Sequence, residues 1–131
     1  MSVLRRYCVG VCALFCAGGL HAQEVPSGQP VTLQEVLIDE VNGEEWLRFR
    51  FVAPQIARAS EGISYDVVSA DIEHLCASFA LPYMSDFELP SEVVVISFAD
   101  QETEFGAPNP EATQFFEAFR IQNETCIWEA F

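Results

Sequence analysis

Apolar residues recur at helical spacing in one stretch of the chain, from Ser64 to Pro82. Their separations follow the i, i+4, i+7, i+8, i+11 pattern, which places them along one stripe of an α-helix that packs against a core. The residues of this stripe are Val68, Ile72, Leu75, Cys76 and Phe79.

The remaining residues of this stretch predict how the helix is oriented and where it ends. Ser64 or Asp66 can cap its first turn. Pro82 cannot continue the hydrogen-bond ladder, so we expect the helix to end near Ala80. The polar residues that we expect on the opposite, solvent-facing side are Asp71, His74 and Ser78.

A β-hairpin is predicted in the stretch 31–53, because Asn42-Gly43 separates two runs of alternating polarity. A two-residue turn there pairs Val41 with Glu44 and fixes the register of both strands. One face of the hairpin is then wholly apolar, with Val36, Ile38, Leu47, Phe49 and Phe51. The other face carries Glu35, Leu37, Asp39, Trp46, Arg48 and Arg50, with Glu35 opposite Arg50.

The run from Glu92 to Ala99 is rich in β-branched residues and is bounded by turn residues. This pattern is typical of a central strand that is buried on both faces. Residues 100–105 can continue it into an edge strand, on which the alternating Asp100, Glu102 and Glu104 would share one face. Such carboxylates could bind calcium, but we favour solvated edge residues and predict no metal.

The segment 110–121 fits both a helix and a strand. Pro110 is a good helix start and the phenylalanines that follow have helical spacing, whereas the residues from Phe115 to Ile121 also alternate. We favour a short helical turn over 110–114, followed by a hairpin.

The turn of this second hairpin is placed at Asn123-Glu124. The resulting register sets Ile121 opposite Cys126 and Phe119 opposite Trp128 on an inward face. We expect the aromatic residues of this region to form core: Phe115, Phe116, Phe119, Trp128 and Phe131. Together the elements predict an α+β fold, an antiparallel sheet of about five strands with one main helix packed on one face.

Residues 1–22 have the pattern of a secretory signal peptide. Arg5 and Arg6 precede an apolar run over 7–20, and small residues precede Gln23. The run is shorter than the roughly 20 residues that a spanning helix needs, so we expect no stable membrane insertion. Cleavage after Ala22 would leave residues 23–131 as a single domain, either periplasmic or secreted.

Cleavage would also leave two of the five cysteines, Cys76 and Cys126. An even pair in an exported protein predicts a disulfide, worth about 4 kcal/mol on the chain-entropy estimate for a loop of about 50 residues. The alternative is a redox-active or metal-binding pair, but the sequence has no C-x-x-C spacing to support it.

The net charge of the chain limits the kinds of partner that it can bind. Residues 23–131 contain four arginines, no lysine and all twenty acidic residues, a formal net charge of −16. Nucleic acid and anionic membranes are therefore disfavoured. The outer face of the sheet is predicted to hold a local positive strip of Arg48, Arg50 and Arg120 beside Trp46, which could contact a carboxylate or phosphate. The alternative is that Glu35 and Glu129 neutralise this strip as cross-strand pairs.

Catalytic signals are weak. Asp71 and His74 form a D-x-x-H pair that could orient a general base or hold half of a metal site, but an ordinary surface pair is the commoner occurrence. No serine has a nucleophile-elbow context, so we assign no catalytic residue.

Two segments, Ala-Asp-Ile-Glu-His-Leu-Cys (70–76) and the tail from Asn109 to the Cys-Ile-Trp ending, resemble a family of small exported bacterial proteins of unknown function. The resemblance covers nearly all of residues 23–131 and implies no activity, cofactor or catalytic residue. We therefore expect a non-enzymatic binding or interaction module whose partner is a protein or a small ligand. The alternative is a small hydrolase or lyase that uses the Asp71/His74 side of the helix.

Overall fold

A computed structural model describes residues 22–57 and 63–130. The predicted signal peptide, apart from Ala22, and the predicted core residue Phe131 lie outside the described residues. Within the described residues, six strands form one sheet in chain order: β1 (Ala22–Gln23), β2 (Val31–Val41), β3 (Glu44–Val52), β4 (Val93–Ala99), β5 (Gln114–Gln122) and β6 (Thr125–Glu129). The helical segments are a 3-10 turn (Pro54–Ile56), α1 (Tyr65–Leu75), a π-helical turn (Cys76–Ala80) and α2 (Leu81–Asp86).

The fold is α+β as predicted, but the sheet is mixed and has six strands rather than about five antiparallel ones. β3 and β4 run parallel, with Trp46 beside Val93 and Val52 beside Ala99. All other neighbours are antiparallel. The parallel pair arises because the helical segment returns the chain to the end of the sheet where β3 began, the connection that parallel neighbours require.

Both predicted hairpins are present in the predicted register. Val41 pairs with Glu44 and Glu35 with Arg50, and a bulge at Gln34 shifts the register before Leu33. The left-handed backbone at Asn42 and Gly43 is the geometry of a type I′ turn. In the second hairpin Ile121 pairs with Cys126 and Phe119 with Trp128.

The helical segments cover one face of the sheet, which we call the inner face, and the opposite face is the outer face. The inner face holds the main core, in which the largest fully buried side chains include Phe49, Phe51, Phe98 and Phe119. β4 is buried along nearly its whole length, as predicted for a central strand. On the outer face a smaller cluster of Val93, Val95 and Ala118 packs against Trp46.

Three predictions about local structure are wrong. The helical path continues to Asp86 instead of ending near Ala80, because Pro82 lies in the first turn of α2, where its missing N–H is tolerated. The π-helical turn before it is closed by the Leu81 N–H, which bonds to the Cys76 carbonyl. Residues 100–113 form a loop and a turn in place of an edge strand and a helical turn, and the main chain of Asp100 bonds to Thr113 to close that loop.

The aromatic core prediction is correct only in part. Phe119 is buried, but Phe116 is 67% exposed and Trp128 57% exposed. Phe116 falls on the outer face by strand alternation, and Trp128 lies on the inner side of an edge strand. The described residues contain no helix with the length and hydrophobicity for a bilayer crossing.

The predicted Cys76–Cys126 disulfide is confirmed, with the two Cα atoms 6.3 Å apart and a sequence separation of 50. Cys76 opens the π-helical turn and Cys126 belongs to β6, so the bond joins the helical layer to the last strand.

We expect reduction of this bond to lower the free energy of unfolding by about 4 kcal/mol. The reason is that the unfolded chain regains the conformational entropy that the closed loop had removed from it. Urea unfolding with and without a phosphine reductant measures the loss. A Cys76→Ala/Cys126→Ala variant is the control. Its urea midpoint should equal that of the reduced protein and should not change when the reductant is added. A midpoint unchanged by reduction would contradict the prediction.

The turn at Asn123-Glu124 holds both residues in left-handed backbone, with φ of 52° and 59°. Glu124 pays a steric cost there that glycine does not. We expect Glu124→Gly to stabilise the protein by up to about 1 kcal/mol. The reverse exchange at the first hairpin, Gly43→Glu, should destabilise it by a similar amount, since Gly43 has a φ of 82° and open space around it. Thermal unfolding of the two variants compares them, and changes of the same sign would refute the assignment.

Candidate functional site

The outer face carries the arginines that the sequence singled out. Arg48 and Arg50 project from β3, and Arg120 projects from β5. Each guanidinium is paired with carboxylates of the same face: Arg48 with Asp39, Arg50 with Glu35, and Arg120 with Glu44 and Glu129. The cross-strand neutralisation by Glu35 and Glu129 that the sequence suggested is thus present.

Arg120 and Trp46 lie in one network at the end of the outer face. The Arg120 guanidinium donates to Glu44 and to Glu129 at 3.0 Å, and the Trp46 indole donates to Glu44 at 3.3 Å. The hydrogen bond from Arg120 holds the pKa of the Glu44 carboxyl below its usual value, with a smaller contribution from Trp46. The same contacts, Glu44 first and Glu129 second, raise the pKa of Arg120. These charges satisfy one another, so this end of the face is an ion-pair network.

Arg48 and Arg50 instead line a cavity of about 310 Å³ between the outer face and the loop 100–113. We call it the outer pocket. Its floor comes from β3 and β4, and its walls come from β5 and the loop. Its polar lining residues are Arg48, Arg50, Ser97, Gln114 and the acidic Glu104, and its large apolar ones are Phe105, Phe115 and Phe116.

One threonine fastens the loop over this pocket. The Thr103 hydroxyl accepts hydrogen bonds from Arg50 at 2.8 Å and from Gln114 at 3.0 Å. Its carbonyl accepts a third from Gln34, the residue of the β-bulge, at 2.9 Å. Thr103 is itself buried. These three contacts hold the loop on the sheet and therefore define the roof of the pocket.

The loop brings Phe105 over both arginines. Its ring centroid lies 5.3 Å from the Arg48 guanidinium carbon and 5.5 Å from that of Arg50, within cation–π range. Trp46 contacts Arg48 from another side, at 5.5 Å. The Arg48 guanidinium is therefore held by two rings and by the bond from its Nε to Asp39 at 2.8 Å.

Arg48 and Arg50 differ in how many of their N–H donors are left without a partner among the described residues. Arg50 is 9% exposed and uses both terminal nitrogens, one on Glu35 and one on Thr103. Arg48 is 21% exposed, and within the described part of the chain its Nε donates the one hydrogen bond that the guanidinium makes. Arginine has five N–H donors, so the terminal nitrogens of Arg48 remain available to a planar acceptor.

The Asp71/His74 pair is not formed, and the prediction that Asp71 faces solvent is wrong. His74 is exposed, but Asp71 is fully buried. Its carboxylate accepts hydrogen bonds from the Ser27 main chain at 3.0 Å, the Ser27 hydroxyl and the Gln29 amide at 2.8 Å. Asp71 therefore fastens the segment before β2 to α1. The sequence contained a signal for this, because Asp71 lies one turn from both Val68 and Leu75 and so borders the apolar stripe.

Sequence reasoning missed a second buried acid, Glu117 of β5, which lies on the inner face. The Tyr65 hydroxyl donates to its Oε2 atom at 2.6 Å, and the Ser69 hydroxyl donates to the same atom at 2.7 Å. Strand alternation with Phe115 and Phe119 places Glu117 on the inner face, but an acid at that position was not recognised as a site.

The alternating carboxylates Asp100, Glu102 and Glu104, for which we predicted a solvated edge strand and no metal, do not form a strand face. Asp100 accepts a hydrogen bond from the Thr113 main chain at 3.0 Å, while Glu102 and Glu104 are exposed in the loop. Across residues 22–57 and 63–130, no group of three or more His, Cys, Asp or Glu side chains could hold a metal ion.

Comparison with known proteins identifies a family. Residues 11–131 match the family of unknown function DUF6497. The search of curated proteins found no significant match, and neither did the search of solved structures.

The Tyr65–Glu117 hydrogen bond predicts a delayed tyrosine titration. The bond to Glu117 raises the pKa of the Tyr65 phenol above its ordinary value of 10.0, and burial and the charge of Glu117 add to it. Because the folded-state pKa is the higher one, this contribution to stability is complete below pH 10 and is lost as the pH rises through the folded-state value.

Absorbance of tyrosinate measures this directly. In residues 23–131 the tyrosines are Tyr65 and Tyr83, so a Tyr83→Phe background isolates Tyr65. Adding Glu117→Gln to that background should move the Tyr65 titration to lower pH, because the negative charge is gone. A titration unmoved by Glu117→Gln would show that the hydrogen bond is absent in solution.

Proposed function

Because the chain belongs to the DUF6497 family, whose function is unknown, we propose from its own geometry that it is a non-enzymatic binding module of the exported compartment. The ligand of the outer pocket is a small molecule with a carboxylate and an apolar body. The observation that carries the proposal is the Arg48 guanidinium at the pocket, which is held by Trp46, Phe105 and Asp39 and whose terminal nitrogens have no hydrogen-bond partner among the described residues.

The pocket supports both halves of this ligand. The Arg48 fork suits the two oxygens of a carboxylate, and the half-buried Ser97, which lies opposite Arg50 in the strand register, adds a hydroxyl to the pocket. Phe105, Phe116 and Val95 supply the apolar walls. A volume of about 310 Å³ is at the lower end of the range for small-molecule sites, so the ligand is small.

Export is supported by two observations. The Cys76–Cys126 disulfide is typical of proteins in oxidising compartments. The sequence of residues 1–22 has the signal-peptide pattern described above. The periplasm or the extracellular medium is thus the proposed location.

The alternative function, a hydrolase or lyase that uses Asp71 and His74, has no comparable support. Asp71 is enclosed by Ser27 and Gln29, and His74 lies on the exposed side. A general acid–base pair needs both groups within reach of one substrate.

The proposal is tested with phenylacetate as the probe and phenylacetamide as its uncharged analogue, each titrated into residues 23–131 and followed by amide chemical shifts. We expect saturable shifts in β3, β4 and the loop 100–113 with phenylacetate, and binding at least about tenfold weaker with phenylacetamide.

Arg48→Gln is the test variant and Arg120→Gln is its control, since both remove one positive charge from the outer face. Arg48→Gln should weaken phenylacetate binding at least about tenfold, and Arg120→Gln should change it less than about twofold. Equal losses in both variants would attribute binding to general charge. The absence of saturable shifts in the unmodified protein would also overturn the proposal.

A further inference from the structure

A second cavity, of about 200 Å³, lies between α1 and the β5–β6 hairpin. We call it the inner cleft. It is separate from the outer pocket, because it opens on the face that the helices cover. Its lining residues are Tyr65, Ser69, Glu73, Glu117, Phe119 and Trp128.

The floor of the inner cleft is a carboxylate without a counter-ion. Glu117 is 6% exposed, and no arginine or histidine of the described residues forms an ion pair with it. Its two hydroxyl donors, from Tyr65 and Ser69, both reach Oε2. Among the described residues none donates to Oε1, so a buried carboxylate presents an unpartnered oxygen at the cleft.

The rest of the cleft suits a positive charge. Glu73 adds a second carboxylate at the rim. Tyr65 and Trp128 add aromatic rings, whose faces attract cations. Trp128 is 57% exposed although it lies on the inner side of the sheet, so a ligand in the cleft would cover apolar surface that the fold leaves open.

A cation with N–H donors complements each of these features. It would donate to Oε1 of Glu117 and lie against the rings of Tyr65 and Trp128. An anion or a neutral apolar group would leave that oxygen unpaired. The chain itself supplies no lysine, and its net charge of −14 attracts cations from a distance.

We propose that the inner cleft binds an organic cation, an alkylammonium or alkylguanidinium group, with Glu117 as its counter-ion. A volume of about 200 Å³ holds one such group and a short alkyl stem. The group belongs either to a small free amine or to a Lys or Arg side chain of a peptide, and the two sources share this chemistry.

The experiment titrates n-butylammonium and n-butylguanidinium into residues 23–131 and follows the side-chain indole signal of Trp128, assigned with Trp128→Phe. n-Butanol is the neutral control. We expect saturable shifts of this signal with the cations and none with n-butanol. A parallel titration with acetyl-Gly-Arg-Gly-amide separates the sources. Binding of the peptide as tightly as the free cation assigns a chain-borne side chain, and binding of the free cation alone assigns a small amine.

Glu117→Gln is the principal variant, because the amide oxygen can still accept from Tyr65 and Ser69 while the charge is lost. Glu111→Gln is the matched control, since it removes one charge from an exposed site outside the cleft. We expect at least about tenfold weaker cation binding in Glu117→Gln and less than about twofold change in Glu111→Gln.

Trp128→Ala provides a second test on an exposed position should Glu117→Gln fail to fold, and it should weaken binding several-fold through the loss of the ring. Because this variant lacks the indole reporter, its binding is followed by the backbone amide shifts of Ser69 and Glu117, compared with the same shifts in the unmodified protein. Equal losses in Glu117→Gln and Glu111→Gln would show diffuse attraction to an acidic surface. That result, or the absence of saturable Trp128 shifts, would overturn the proposal. Neither result bears on the outer pocket, whose probe is an anion and whose test residue is Arg48.

Discussion

The Cys76–Cys126 bond sets the relation between the helical layer and the last strand, and much of the inner face depends on it. β6 contributes no fully buried residue to the core, so apolar packing alone holds it weakly. The disulfide joins it to the π-helical turn, in the middle of the helical path from Tyr65 to Asp86. With β6 fixed, Trp128 stands across from Tyr65 and Ser69, and the inner cleft is the space that remains between them.

The outer face is organised by charge and by a loop rather than by a helix. Its arginines pair with carboxylates of neighbouring strands, and Arg50 also holds Thr103 and with it the loop 100–113. The loop places Phe105 against the guanidinium groups of Arg48 and Arg50. The roof of the outer pocket, which is the loop, therefore rests directly on the arginines of its floor. Arg50 is therefore structural, and Arg48, which makes fewer hydrogen bonds to the described residues, is the residue left for a ligand.

Local chemistry in the sequence was sufficient to predict both hairpins and the disulfide. Asn42-Gly43 and strand alternation define the first register, and the inward side chains of Cys76 and Cys126 follow from two periodicities that are independent of each other. The parallel pairing of β3 with β4 could not be derived this way, because it depends on the path of the helical segment across the sheet. Phe116 and Trp128 were misplaced for different reasons. Alternation puts Phe116 on the outer face, which the core prediction overlooked, whereas it puts Trp128 on the inner face without telling whether another layer covers it there. Asp71 was misplaced because its partners, Ser27 and Gln29, come from a segment without any periodicity.

The two cavities also differ in how the charge of the whole chain acts on them. The described arginines are paired on the outer face, so the acid excess of the protein is left over the remaining surface and includes Glu73 and Glu117 at the inner cleft. Long-range attraction therefore favours a cation at the inner cleft and opposes an anion approaching the outer pocket, and salt screens both effects. An anion bound at Arg48 must gain its affinity from short-range contacts with the guanidinium and the rings. A cation at Glu117 gains affinity both from short-range contacts and from long-range attraction to the acidic protein. The arrangement separates two ligands of opposite charge on opposite faces of a single sheet.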